Sequence, residues 1–388
     1  MASAPTQVAV PRQPLKVRMR LFWRRVTEGL ELTQLWSQFQ MEARASYRLY
    51  SRDVAARTPE GLTRRGRRVE LVKEFFWAVL EKLSPARRVL LLAALVMLVF
   101  PSSGFSYRGS DHEMHIVEFE LHFWGGLLMF ILLMLEIADR VVMKRDLQIA
   151  REIQTWLLPG VPPQITGISI AYATRPANTV AGDYYDVFPR PGRTNKENRV
   201  IFAVADVAGK SIPAAMLMAT FQASLKTLST AQVALPELVA NMNRYACSNS
   251  QGGLRFTTAF LSEYDPARGV FTYINAGHNN PILRRSNGLI ERLDVGGLPM
   301  GIQSEAKYES ASVALGPGDW LIIFTDGLVE AENAHQDEYG ETRLLGAIAA
   351  GAASTPAEML NRLMAELDLF VGNTPQHDDV TCLLVKAE

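Results

Sequence analysis

The stretch that decides the fold is VIFAVADVAGKSIPAAMLM, which runs from Val200 to Met218. It begins with a continuous apolar run, rich in β-branched and aromatic side chains, that is typical of a strand buried on both faces. Asp206 ends this run, at a place where a buried carboxylate is costly unless a positive group meets it. Gly209 then permits a tight turn, and Pro213 suits the first turn of a helix. The stretch therefore predicts a buried strand that delivers a carboxylate and continues into a helix.

Three other stretches also place acidic residues at the ends of apolar runs. These residues are Asp183 and Asp186 in AGDYYD, Asp326 in WLIIFTDG, and Asp378 and Asp379 in HDDVTCLLV. A single Asp-Gly pair would predict only a turn, and a single aspartate only a solvated loop. Four acidic sites at strand ends, far apart along the chain, instead predict carboxylates that converge on one pocket. Such oxygen ligands suit Mg²⁺ or Mn²⁺.

Charge is distributed unevenly along the 388 residues, although the net charge is zero. Residues 1–88 contain 18 basic and 8 acidic side chains, so the first quarter is basic and the remainder is acidic. A basic surface of this kind favours anionic membrane lipid as a partner. Nucleic acid is not expected as a partner, because no zinc-finger or RNP pattern is present. Only two cysteines occur, Cys247 and Cys382, which favours a reducing, cytosolic compartment.

The N-terminal part of the chain predicts attachment to a membrane. Residues 1–85 read as a basic, helical, cytosolic region, and residues 86–138 as a two-helix transmembrane hairpin. Its apolar runs, Val89–Phe100 and Phe123–Leu135, are shorter than the roughly 20 residues of a standard span. Basic residues flank the hairpin on both sides and its connection is acidic, as expected for a multi-pass inner-membrane protein with both termini in the cytoplasm. The alternative is a soluble helical hairpin buried in a dimer.

A linker helix is predicted over residues 139–160. Apolar residues recur from Leu135 to Trp156 at three-, four- and seven-residue steps and form one stripe. Arg145 interrupts this stripe, so a permanent coiled coil is not expected. The linker therefore predicts a marginal homodimer that passes on a signal, with a passive spacer as the alternative.

Residues 161–388 alternate short apolar runs with turn residues, and two pairs of helical patterns interrupt the runs. This order predicts an α+β domain, most simply a sheet sandwich covered by helices. No GxxxxGK[ST], HExxH or GxSxG motif is present.

Six ordered motifs then carry a family resemblance. They are AGDYYD, ADVAGKSIPAAM, NAGHNNPIL, GLPMGI, FTDGLVEAEN and HDDVTCLLV, and they follow a helix that ends EIQTWLLP. From Val141 to Glu388 the chain resembles the bacterial PPM-type (PP2C-like) serine phosphatases of the RsbU and SpoIIE group. The resemblance implies a β-sandwich flanked by helix pairs that binds two Mn²⁺ or Mg²⁺ ions. It implies Asp183, Asp206, Asp326, Asp378 and the backbone carbonyl of Val207 as metal ligands.

The implied reaction is hydrolysis of a phosphoserine or phosphothreonine monoester by metal-activated water, which needs no cysteine or serine nucleophile. By resemblance, the substrate is a phosphorylated anti-sigma factor antagonist of STAS type. The residues predicted to contact phosphate or to support the metal ligands are Asp379, Gly327, Lys210 and His278. For His278, a proton donor and a buried histidine bonded to a turn are both open. Alternative functions are a catalytically silent binding module and a hydrolase of small phosphate esters.

Overall fold

A computed structural model describes residues 73, 76–77, 80–100, 103–108, 114–190, 199–250 and 255–388. It divides into two compact units, whose boundary falls between Asp139 and Arg140. Most of the predicted basic region 1–85 lies outside the described residues.

The described part of the first unit includes two helices joined by a β-hairpin. Helix α1 spans Pro85–Val99, strands β1 and β2 span Ser103–Arg108 and Met114–Phe119, and helix α2 spans Leu121–Leu157 and continues into the second unit. The strands pair antiparallel, with Ser103 opposite Phe119. The sequence did not predict this hairpin.

Helices α1 and α2 approach each other closely at Ala94 and Gly125. Ala94 is fully buried, and a Cβ atom on Gly125 would stand 3.1 Å from the carbonyl oxygen of Ala94. Arg87 Nη1 also lies 2.7 Å from Asp139 Oδ2. The two apolar runs of the sequence therefore form a helix pair. Among the described residues, no helix combines the length and the apolar character needed to cross a membrane. The transmembrane hairpin stays a prediction.

The described residues of the second unit form two β-sheets. Its strands are β3 (Ile168–Arg175), β4 (Tyr184–Arg190), β5 (Arg199–Val207), β6 (Thr257–Asp265), β7 (Val270–Ala276), β8 (Ile282–Arg284), β9 (Ile290–Arg292), β10 (Gly296–Gly297), β11 (Ala311–Ala314), β12 (Trp320–Phe324) and β13 (Val380–Ala387). One sheet has the order β10-β7-β6-β5-β4 with β11 also paired to β7, and the other has the order β3-β13-β12-β8-β9. All neighbouring strands pair antiparallel except β10 and β7.

The helices of this unit are α3 (Ser211–Leu228), α4 (Leu235–Ser248), the short α5 (Asp326–Val329), α6 (Gly340–Ala350) and α7 (Pro356–Val371). Residues of α3 and α4 share one buried cluster with the first sheet, and residues of α6 and α7 share another with the second sheet. A third cluster lies between the two sheets. The unit is thus an α+β sandwich with a helix pair on each outer face, as predicted.

Strand β5 shows why the deciding stretch is apolar at every position. Phe202 and Val204 point into the cluster between the sheets, whereas Ala203 and Ala205 face the cluster under α3 and α4. All four residues have no solvent exposure. The small alanines let the helices approach the sheet, and Asp206 follows near the end of the strand.

Candidate active site

Asp183 lies just before β4, where the chain enters the first sheet. Its side chain is only 2% exposed, and Thr325 Oγ1 donates a hydrogen bond to Asp183 Oδ2 at 2.9 Å. Burial, together with repulsion from Asp206, raises the pKa of Asp183 well above its ordinary value. Thr325 also accepts a hydrogen bond from the backbone N–H of Thr381 at 2.9 Å, so its hydroxyl is held in place to orient this carboxylate.

Asp206 lies next to the last residue of β5. Burial raises its pKa to about 7, and repulsion from Asp326, Asp378 and Asp379 adds to this effect, while Lys210 opposes it. A divalent cation bound among these four carboxylates would offset their mutual repulsion. Asp206 belongs to the first sheet, and the other three lie next to strands of the second sheet, so the sandwich brings carboxylates from both sheets into one group.

Asp326 opens helix α5 after β12, and Asp378 precedes β13. Burial raises the pKa of Asp326, and repulsion from Asp378 contributes. Lys210 Nζ lies 3.1 Å from Asp378 Oδ2 and donates a hydrogen bond to the carbonyl oxygen of His377 at 2.6 Å. Lys210 therefore supplies positive charge at the edge of the acidic group.

Asp379 binds backbone rather than facing the other carboxylates freely. Its two carboxylate oxygens accept hydrogen bonds from the N–H groups of Ala177, at 2.7 Å, and Gly182, at 2.6 Å. Asp379 thus fixes the loop that leads to Asp183. A Cβ atom on Gly182 would stand 3.2 Å from the carbonyl oxygen of Val207, so this candidate ligand atom lies against the same loop.

Gly327 has a steric reason to be glycine. A Cβ atom there would stand 2.1 Å from the carbonyl oxygen of Asp379, a distance that no side chain tolerates. The missing side chain lets the start of α5 approach the segment before β13. This approach brings Asp326 and Asp378 near each other.

Asp186 does not join the other aspartates, although the sequence grouped it with them. It lies within β4, where it accepts a hydrogen bond from the Tyr184 hydroxyl at 2.6 Å and lies 2.7 Å from Lys226 Nζ. It therefore anchors α3 on the first sheet.

His278 is 5% exposed and lies in the turn after β7. Its Nδ1 lies 3.1 Å from Thr258 Oγ1, and its backbone N–H donates to Asn275 Oδ1 at 2.7 Å. Burial lowers the pKa of His278 to about 4, so the ring is neutral near pH 7. This geometry is that of a buried histidine bonded to a turn.

A cavity of about 240 Å³ adjoins the acidic residues. Charged residues in its lining are Arg175, Lys210, Glu330, Glu332, Glu338 and Asp378. Arg175 is already paired with both carboxylate oxygens of Asp368, the second at 3.1 Å. Burial and repulsion from Asp326 raise the pKa of Glu330, so the field in this cavity is negative close to the aspartates.

The donor set fits a hard divalent cation, because it consists of carboxylates that repel one another with Lys210 as a flanking positive charge. The side chains are not assembled as a finished coordination sphere, however. Within the described part of the chain, no group of three or more His, Cys, Asp or Glu residues is close enough together to hold a metal ion. That the carboxylates of Asp183, Asp206, Asp326 and Asp378 and the backbone carbonyl of Val207 would hold the cation stays a prediction.

Sequence reasoning missed two residues of this site, Thr325 and Gln154. Thr325 stands directly before Asp326 in FTDG, where a hydroxyl at a strand end is a usable signal. Gln154 lies in EIQTWLLP, and its amide hydrogen bonds with Ala181 at 2.7 and 2.9 Å. Only its polar character within an apolar helix end sets it apart.

Comparison with known proteins identifies the family of this domain. Residues 196–388 match the family described as Stage II sporulation protein E (SpoIIE). The domain belongs to the SpoIIE family. It shares the RsbU/SpoIIE type of PP2C domain with phosphoserine phosphatase RsbU of Bacillus subtilis (strain 168), to which the chain is 28% identical over 246 residues. That alignment covers 63% of this chain and 70% of RsbU.

Two further comparisons show how much of each chain the similarity covers. The chain is 27% identical over 271 residues to protein IcfG of Synechocystis sp. (strain ATCC 27184 / PCC 6803 / Kazusa). That alignment covers 63% of this chain but only 42% of IcfG. The solved SiaA-PP2C domain of Pseudomonas aeruginosa superimposes with a TM-score of 0.56 at 20% identity and covers 65% of this chain and 99% of that domain. The second likeness establishes the PP2C fold of this SpoIIE-family domain.

Proposed function

We propose that this protein is a metal-dependent protein serine/threonine phosphatase that uses two Mn²⁺ or Mg²⁺ ions. One observation carries the proposal. In a SpoIIE-family domain, the fold brings Asp206 of one sheet so near to Asp326 and Asp378 of the other that their carboxylates repel one another. RsbU and RsbP of Bacillus subtilis (strain 168) are both phosphoserine phosphatases by name. Their similarity to this chain supports the same class of substrate here.

Divalent cations, when bound by these residues, would supply an activated water for attack on phosphorus. The residues of the chain prepare this step. Thr325 orients Asp183, and Asp379 holds the loop before it, so the ligand atoms are positioned before the substrate arrives. Lys210 is about half exposed at the edge of the acidic group, and in this proposal its ammonium group meets a phosphoryl oxygen.

The substrate that we propose is a phosphorylated STAS-type antagonist of an anti-sigma factor, in sigma-factor regulation or related signalling. Similarity to RsbU supports this choice. A protein substrate also suits the open character of the site, where Lys210 and Asp378 are both about half exposed.

We further propose that the protein is an inner-membrane homodimer with its catalytic domain in the cytoplasm. Helices α1 and α2 both expose large apolar side chains, including Val99 at 78% and Phe123 at 65%. The stripe of the linker is exposed as well, with Val142 at 58% and Trp156 at 79%. Lipid around the helix pair and a second copy along the linker would cover these surfaces.

The test is phosphate release by the purified full chain from a phosphoserine-containing STAS protein, with p-nitrophenyl phosphate and phosphorylated metabolites compared. We expect release that requires Mn²⁺ or Mg²⁺, prefers the phosphoprotein and is lost in Asp326→Asn. A folded chain that binds the phosphoprotein without releasing phosphate at any metal concentration would instead be a binding module. Preference for a metabolite would indicate the small-ester hydrolase.

A further inference from the structure

Gln154 is a buried polar side chain near the end of the mostly exposed helix α2. It is 6% exposed, whereas its neighbour Ile153 is 48% exposed. Its Nε2 donates a hydrogen bond to the carbonyl oxygen of Ala181 at 2.7 Å, and its Oε1 accepts one from the N–H of Ala181 at 2.9 Å. The side-chain amide therefore pairs with both backbone groups of one residue, as a neighbouring strand would.

Ala181 stands two residues before Asp183, in the loop that enters β4. The next residue, Gly182, donates its N–H to Asp379 at 2.6 Å. The loop is thus held from two directions, by the helix through Gln154 and by the segment before β13 through Asp379. Ala181 is itself 1% exposed, so water cannot replace the hydrogen bonds that Gln154 makes.

We infer that Gln154 is a positioning residue that couples the end of helix α2 to the carboxylate of Asp183. A shift or rotation of this helix end must either carry Ala181 with it or leave two buried backbone groups without partners. The second outcome costs free energy, because an unsatisfied buried donor or acceptor is expensive. The position of α2 therefore sets how well Asp183 is placed to bind a divalent cation. This coupling rests on the proposed function only for the role of Asp183 as a ligand.

The experiment compares variants of the full chain. Gln154→Leu keeps the approximate volume but removes both hydrogen bonds, and Gln154→Glu keeps an acceptor but loses the donor. Gln148→Leu is the matched control, since Gln148 is an exposed glutamine on the same helix. Two readouts are taken, namely amide hydrogen exchange of residues 176–183 in EDTA and the affinity for Mn²⁺ by calorimetry.

We expect Gln154→Leu to speed exchange in residues 176–183 and to weaken Mn²⁺ binding by roughly ten- to a hundredfold. Gln154→Glu should fall between Gln154→Leu and the wild type, and Gln148→Leu should match the wild type in both readouts. If Gln154→Leu fails to fold, Gln154→Glu alone still decides, because wild-type exchange and affinity in that variant would overturn the coupling.

The outcomes separate this coupling from the proposed function. A wild-type chain that binds Mn²⁺ but hydrolyses no phosphoester would refute the phosphatase, while slower exchange and tighter binding than in Gln154→Leu would still support the coupling. An active wild type with unchanged exchange and Mn²⁺ affinity in Gln154→Leu would overturn the coupling and leave the phosphatase standing.

Discussion

Replacing Asp206 with asparagine should stabilise the metal-free protein at alkaline pH, although it removes a proposed metal ligand. Burial and neighbouring carboxylates raise the pKa of Asp206 from 3.8 to about 7. A carboxyl group whose pKa is higher in the folded than in the unfolded state destabilises the fold progressively as the pH rises from the lower to the higher value. At 1.36 kcal/mol per pKa unit, the full effect is roughly 4 kcal/mol above pH 7.

The neighbouring aspartates titrate together with Asp206, so removing its charge alone should recover only part of this free energy. We therefore expect Asp206→Asn to raise the free energy of unfolding by about 1–3 kcal/mol at pH 8 in EDTA. At pH 5 the difference should shrink to less than half, because the folded wild type then holds Asp206 protonated. With Mn²⁺ at pH 8 the order should reverse, since only the wild type gains the full stabilisation from the bound metal.

Urea unfolding followed by circular dichroism measures these differences at both pH values. Asp294→Asn, at an exposed aspartate, is the matched control and should change stability little under all conditions. If Asp206→Asn were less stable than the wild type at pH 8 in EDTA, the carboxylates would not strain the metal-free site, and the reasoning from burial and repulsion would be refuted.

Three further predictions concern other parts of the chain. His278→Ala should reduce turnover less than Asp206→Asn, because His278 contacts Thr258 rather than a proposed ligand side chain; an equal loss in a steady-state assay would give His278 a catalytic role. The full chain should sediment with membranes and stay there in 1 M salt, which shortens the Debye length to about 3 Å but leaves inserted apolar segments in place; release by salt alone would mean peripheral binding. Inserting two residues near Lys144 should rotate the linker faces by about 200° and change basal activity more than inserting seven, whereas wild-type activity and response after both insertions would make the linker a passive tether.

The sequence predicted the sandwich because its signals are local. A strand that is apolar at every position, such as β5, has to be covered on both faces, and the structure places helices on one face and the second sheet on the other. The apolar runs before residue 139 likewise became helices. The hairpin β1–β2 was missed because acidic residues in a short connection between apolar segments pointed to a loop.

The site was predictable at the level of residue type but not of individual roles. Asp378 and Asp379 are adjacent and chemically identical, and only the fold shows that Asp379 binds the N–H groups of Ala177 and Gly182. Asp186 looked like Asp183 in sequence, yet its pairing with Lys226 depends on how α3 lies on the sheet. Such contacts join residues far apart in the chain, so no local pattern encodes them.

The central claim is that the aspartate group binds divalent cations and that this binding is what makes the protein a phosphatase. The most direct measurement is a Mn²⁺ titration of the full chain in which metal binding and phosphate release from a phosphoserine protein are recorded on the same sample. We predict that both rise together and that Asp206→Asn loses both. Phosphate release that persists in EDTA, or that survives undiminished in Asp206→Asn, would contradict the claim.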